Sequence, residues 1–230
     1  MSQFAFKHDV KLGLVVIQVA LIAAAISQGA WAQLVTATVA TGNGPFAEAL
    51  NPVTNKIYVV NQNSNSVTVI DGATYGVSAT VTAGTSPSAV ALNPLTNKVY
   101  VANSGSNNVT VINGADNTTA TVTVGNNPVA LAVNTVSNKI YVANKNGNSV
   151  TVINGADNST TSVSTCTGPN AIAVNAVMQG FMFRSVREIR NRMTCSTYLT
   201  GESKKIFPRR GMERRGKKRK KSGISRAPSL

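Results

Sequence analysis

Between residues 35 and 175 short runs of alternating apolar and polar residues are separated by clusters of Asn, Gly, Ser and Thr. Residues 84–124 show the pattern most plainly. Ala89–Leu92 is followed by the turn Asn93-Pro94-Leu95-Thr96-Asn97, and Val99–Ala102 by Asn103-Ser104-Gly105-Ser106. Val109–Ile112 leads into Asn113-Gly114, and Ala120–Val124 closes the stretch. Alternation in runs rich in Val, Thr, Ile and Tyr predicts half-buried strands, four of them here. Asn-Gly or Asp-Gly recurs at 71–72, 113–114 and 154–155, a pair suited to the positive φ angles of a tight hairpin turn. No segment with helical period lies between 33 and 175, so the predicted fold class is all-β.

The pattern repeats. Pro45, Pro87, Pro128 and Pro169 are spaced by 42, 41 and 41 residues. In step with them run Asn55-Lys56, Tyr58 and Asn61; Asn97-Lys98, Tyr100 and Asn103; Asn138-Lys139, Tyr141 and Asn144. Three full units span 42–83, 84–124 and 125–165, with a partial fourth over 166–177. Four antiparallel strands in a unit of this length are the arithmetic of a propeller blade. The stretches "NKIYVVNQNSNSVTVIDG", "NKVYVANSGSNNVTVING" and "NKIYVANKNGNSVTVING" resemble the YVTN-type β-propeller repeat of bacterial periplasmic and cell-surface proteins and archaeal surface-layer proteins. The resemblance covers roughly residues 35–175. It implies closed rings of about seven blades, whereas only three complete repeats are legible, so a partial propeller is expected. "TATVATGNGP" (Thr36 to Pro45) matches "TATVTVGNNP" (Thr119 to Pro128), so the repeats open with a lone fourth strand that implies a closing blade.

The repeat breaks inside "NAIAVNAVMQGFMF" (Asn170 to Phe183). Where Asn-Lys-aliphatic-Tyr-Val is due, Met178-Gln179-Gly180-Phe181-Met182-Phe183 stands. Losing one nucleotide from the codon of Val177 and regrouping gives an Arg-Ile-Tyr-Val-like string at the due positions. Residues 178–230 are therefore read either as a frame-shifted product or as a genuine second segment. Charge jumps at the same place. Residues 1–183 carry six Lys or Arg against five acids, whereas 184–230 carry sixteen against three. All but one unit of the formal charge of +14 belongs to that tail, which is expected to be of low order.

At the other end Lys7, His8 and Lys11 precede the uncharged run Leu12 to Ile26, and Ala30-Trp31-Ala32 precedes Gln33. This is the form of a secretory signal, so residues 1–32 are expected to be a signal helix cleaved between Ala32 and Gln33. A retained anchor is the alternative, although the run is short for a span of about 20 residues. The predicted location is secreted, periplasmic or cell-surface, with no membrane span after cleavage.

Candidate chemistry is sparse. Lys56, Lys98 and Lys139 would stand at one height and could draw an anion, or simply be solvated at strand entries. Tyr58, Tyr100 and Tyr141 fit packing between blades. Asp71, Asp116 and Asp157 fall in turns, where Asp bonds local backbone. No nucleophile–base pair, phosphate loop or metal-ligand spacing is present, and His8 would leave with the signal. Cys166 stands where earlier repeats have Gly84 and Gly125, and Cys195 lies in the tail; both are read as incidental. Arg209 to Lys221 resembles a nucleic-acid patch, but stacking aromatics are scarce and nucleic acid is not the favoured partner. The expectation is a non-enzymatic binding scaffold of the envelope, without cofactor, for an unknown protein or envelope ligand, and able to self-associate through open blade faces. The alternatives are a fragment of a propeller enzyme and nucleic-acid binding through the tail.

Overall fold

The computed structural model describes residues 14–15, 37–175, 180–186, 194–200 and 203–208, and among them every regular element is a strand. A short ladder pairs β1 (Leu14–Val15) with β2 (Val39–Ala40). Four antiparallel sheets follow, each a meander of consecutive strands. The first contains β3 (Pro45–Asn51), β4 (Lys56–Asn61), β5 (Ser66–Asp71) and β6 (Val77–Thr82). The second contains β7 (Pro87–Asn93), β8 (Lys98–Asn103), β9 (Asn108–Asn113) and β10 (Thr119–Thr123). The third contains β11 (Pro128–Asn134), β12 (Lys139–Asn144), β13 (Ser149–Asn154) and β14 (Thr160–Ser164). These three sheets are blades of a partial propeller. The strands overrun the apolar runs seen in sequence by a residue or two, because turn asparagines still join the ladder.

Period two decides the packing. In register Ala49 faces Tyr58, Ala91 faces Tyr100 and Ala132 faces Tyr141, so a small side chain lies beside each ring. Tyr58, Val60, Val67, Val69 and Val81 of the first sheet close a core with Val99, Val101 and Ile112 of the second. Tyr100, Val109, Val111 and Val122 do the same with Ile140, Val142 and Ile153 of the third. The sheets converge along β3, β7, β11 and β15, which lie against one another. Each of these strands opens on proline and then shifts register, as between Pro87 and Ala89. A residue lacking a backbone N–H is tolerated at such a strand start.

Two expectations are revised, and a third falls where the structure gives no description. The expected signal helix and its cleavage point at Ala32 and Gln33 lie outside the described residues, except Leu14–Val15, which form a strand. The segment expected to be of low order supplies β16 (Gly180–Val186), β17 (Thr194–Thr200) and β18 (Ser203–Pro208), which join β15 (Pro169–Asn175) in a fourth sheet. Its sequence still offers Phe181, Phe183, Thr197, Tyr198, Ile206 and Phe207, residue types that suit a pleated surface. The basic run Arg209 to Lys221 lies outside the described residues.

The second revision concerns the turns. Gly72, Gly114 and Gly155 do not take positive φ; Tyr75, Asn117 and Asn158 do, at 56°, 62° and 63°. Each loop runs five residues and closes by a bond from that residue's N–H to the carbonyl of Asp71, Asn113 or Asn154. The glycine is required instead for close approach. Gly114 N–H donates to the Asn97 carbonyl at 2.8 Å, and a Cβ there would lie 2.8 Å from the Tyr58 hydroxyl.

Candidate functional site

The recurring Asn, Lys and Tyr positions meet at the joints between sheets. Asn55, Asn97 and Asn138 end the turn before the second strand of their sheets with φ of 51°, 50° and 49°, a left-handed conformation Asn tolerates. That geometry aims the side chain at the preceding sheet. Asn51 Nδ2 donates to Asn97 Oδ1 at 2.9 Å, and Asn93 Nδ2 donates to Asn138 Oδ1 at 2.8 Å. Lys56 Nζ donates to the Gly114 carbonyl at 2.8 Å, and Lys98 Nζ to the Gly155 carbonyl at 2.7 Å. The expected anion-attracting ring is therefore not what the first two lysines form: their ammonium groups are bonded across a joint to peptide carbonyls. Lys139 is exposed.

At the other end of the sheets Asn61, Asn103 and Asn144 are fully buried. Asn61 Nδ2 donates to Thr68 Oγ1, Asn103 Nδ2 to Thr110 Oγ1 and Asn144 Nδ2 to Thr151 Oγ1, each at 2.9 Å. The same hydroxyls accept from Gly42, Gly84 and Gly125 N–H at 3.3 Å. Tyr58 and Tyr100 are fully buried and Tyr141 nearly so, and burial raises all three phenol pKa values, that of Tyr100 to about 12. A phenol so held is neutral and unsuited to general-base work at neutral pH.

Acids divide into two kinds. Asp71 Oδ1 accepts from Ala73 N–H at 2.8 Å and Thr74 N–H at 3.0 Å, which lowers its pKa. Asp116 and Asp157 are lowered chiefly by the backbone N–H of Thr118 and of Ser159. These three carboxylates cap their own turns. Glu48 differs, standing on β3 where the equivalent strands carry Val90, Leu131 and Ile172. Those aliphatics pack into the joint with the preceding sheet. Glu48 was visible in the sequence as an acid; aligning the repeats against one another would have shown it to be out of pattern.

Cys166 is disulfide-bonded, which corrects its reading as incidental; the chain's only other cysteine is Cys195. Among the described residues no group of three or more His, Cys, Asp or Glu could hold a metal ion, and no helix is long and apolar enough to cross a membrane.

Residues 25–175 match the family model described as lactonase, 7-bladed beta-propeller. No curated protein matches the chain. Among solved structures, hydrazine synthase of Kuenenia stuttgartiensis superposes with a TM-score of 0.64 at 20% identity, covering 80% of this chain and 53% of that one. A functionally unknown protein from Desulfotomaculum acetoxidans gives 0.61 at 14% identity, covering 76% and 58%. Virginiamycin B lyase from Staphylococcus aureus gives 0.59 at 15% identity, covering 72% and 55%. At these identities the likeness establishes the propeller fold, and the chain spans just over half the length of the structures it matches. The family match overturns the expectation of a non-enzymatic protein, because the family is named for a hydrolase activity.

Proposed function

The chain belongs to the lactonase, seven-bladed β-propeller family, and from that premise we propose that it supplies consecutive blades of a hydrolase that opens a lactone ring. The observation that carries the reading is the family match across residues 25–175, which takes in all of the first three sheets. Glu48 is the residue we assign to the chemistry. It is the described carboxylate borne by one of the strands along which the sheets converge, and it replaces an aliphatic of the repeat. As a general base it would take a proton from water while the water oxygen attacks the lactone carbonyl carbon. The ring C–O bond then breaks, and the departing alkoxide is protonated to give a hydroxy acid.

The test is a pH-stat assay of gluconolactone opening. The expected result is opening above the spontaneous rate, reduced at least about 100-fold by Glu48→Gln, the usual scale of a general base. Opening no faster than in buffer would sink the reading for this chain.

A finer part of the proposal is that the blades are YVTN-type repeats of an exported protein. The three quoted repeats support it, as does the bonded state of Cys166, since disulfides persist in oxidising compartments. N-terminal sequencing of the mature chain is expected to begin at Gln33; a chain that retains Met1 would argue against export by cleavage.

A further inference from the structure

The joints between sheets are not equivalent. The first two carry paired clamps, Asn51 on Asn97 with Lys56 on Gly114, then Asn93 on Asn138 with Lys98 on Gly155. The third joint has the donors without the acceptors. Asn134 is fully buried, yet its Nδ2 has no partner, and Lys139 is exposed. Sequence and strand lengths give the reason. Gln179 stands at the repeat place of Asn97 and Asn138. Two residues, 201–202, separate β17 from β18 in sequence, where five separate the corresponding strands of the first three sheets. A buried donor without a partner weakens the contact that buries it.

Beside the apolar packing of Ile172 and Val174, hydrogen bonds remain at the opposite end of this joint. Asn148 Oδ1 accepts from Gly168 N–H and its carbonyl accepts from Thr165 N–H, both at 2.9 Å, which ties the linker to the third sheet. Between those two residues sits Cys166, at the place held in the earlier repeats by Gly42, Gly84 and Gly125. A Cβ on those glycines would lie 2.5 Å from Ser64 Oγ, 2.5 Å from Ser106 Oγ and 2.6 Å from Asn144 Nδ2. Cys166 instead carries a disulfide, and Cys195 lies on β17 opposite Ser185, the register place where the third sheet pairs Asn144 with Ser149. The bonded Cys166 thus stands in the linker of the joint where Asn134 Nδ2 has no partner.

We propose that the fourth sheet is a detachable blade held by a redox latch. A thiol reductant of the glutathione or dithiol class breaks the S–S bond of Cys166. Two electrons and two protons pass to the protein, two cysteine thiols form, and the reductant leaves as its own disulfide. The sheet then parts from the third and uncovers Tyr141 and Val150, which Ile172 and Val174 cover in the latched state.

Amide hydrogen exchange of the full chain, oxidised and then reduced with dithiothreitol, tests the proposal. Exchange over 169–208 is expected to quicken at least tenfold on reduction while 45–164 stays unchanged. The Cys166→Gly variant, which places the residue of the earlier repeats there, should exchange like the reduced chain without added reductant. Unchanged exchange in both, or equal quickening of all four sheets, would overturn the latch.

Discussion

Tyr100 shows what burial does to a single group. Its side chain is fully buried and its hydroxyl has no partner, so ionisation in place is opposed and the pKa rises from 10.0 to about 12. The unfolded chain, with its phenol in water, releases that proton near 10.0. Between 10.0 and about 12 the unfolded state therefore binds fewer protons than the folded one, and stability falls as pH rises. The contribution is intact below that window and amounts to about 2–3 kcal/mol across it. Urea unfolding of Tyr100→Phe should lack this share of the alkaline loss while changing stability at neutral pH by less than about 1 kcal/mol, since the hydroxyl makes no bond there. An equal alkaline loss in the variant would contradict the assignment. The recurring asparagines belong to the same scale. Asn55, Asn97 and Asn138 were legible as repeat markers, but their left-handed backbone was not, nor was the reach of Asn97 and Asn138 to the neighbouring sheet, which depends on where that sheet lies.

At the scale of the element, each hairpin is specified locally and each joint is not. Alternation of Val, Thr and Tyr marked the strands of the first three sheets within a residue or two. The five-residue loops misled in one respect: Asp-Gly and Asn-Gly suggested tight turns with positive φ at glycine, whereas the glycines serve the close approach of the Asn55, Asn97 and Asn138 carbonyls. Lys98 and Lys139 stand at equivalent repeat positions between Asn and an aliphatic residue, and differ in what the next sheet offers them. Lys98→Met should cost about 1–2 kcal/mol in thermal unfolding, the scale of a charged donor lost from a half-buried carbonyl, and Lys139→Met less than about 0.5 kcal/mol. Equal effects would mean that the carbonyl bond to Gly155 contributes nothing.

Across the whole molecule the described sheets have two ends. Val39 packs with Ile57, Val59 and Ile70 on the outer side of the first sheet, in the place that Val81 takes at the next joint, but Leu50 remains 38% exposed. At the far end Met182 is 49% exposed, and Ala171 and Ala173, whose counterparts in earlier sheets are half-buried, are exposed. A family of seven-bladed rings covers such faces with further blades. We propose that this chain covers them by self-association. Light scattering should show species heavier than the 24.0 kDa chain, and Leu50→Arg should shift them toward the monomer. A monomer at every concentration tested would rule the proposal out.

The sequence by itself determined the class, the period and the face of nearly every strand in the repeats, because alternation, turn residues and a spacing of 41 or 42 are properties of neighbours along the chain. It also carried the break at Met178 and the concentration of charge beyond it. Three matters were decided only by the tertiary structure: that Lys56 and Lys98 are bonded across joints, that Cys166 is bonded, and that β16, β17 and β18 join a fourth sheet. The lysines reach carbonyls 58 and 57 positions away, where one-dimensional pattern has no reach and the packing of one blade on the next selects the partner.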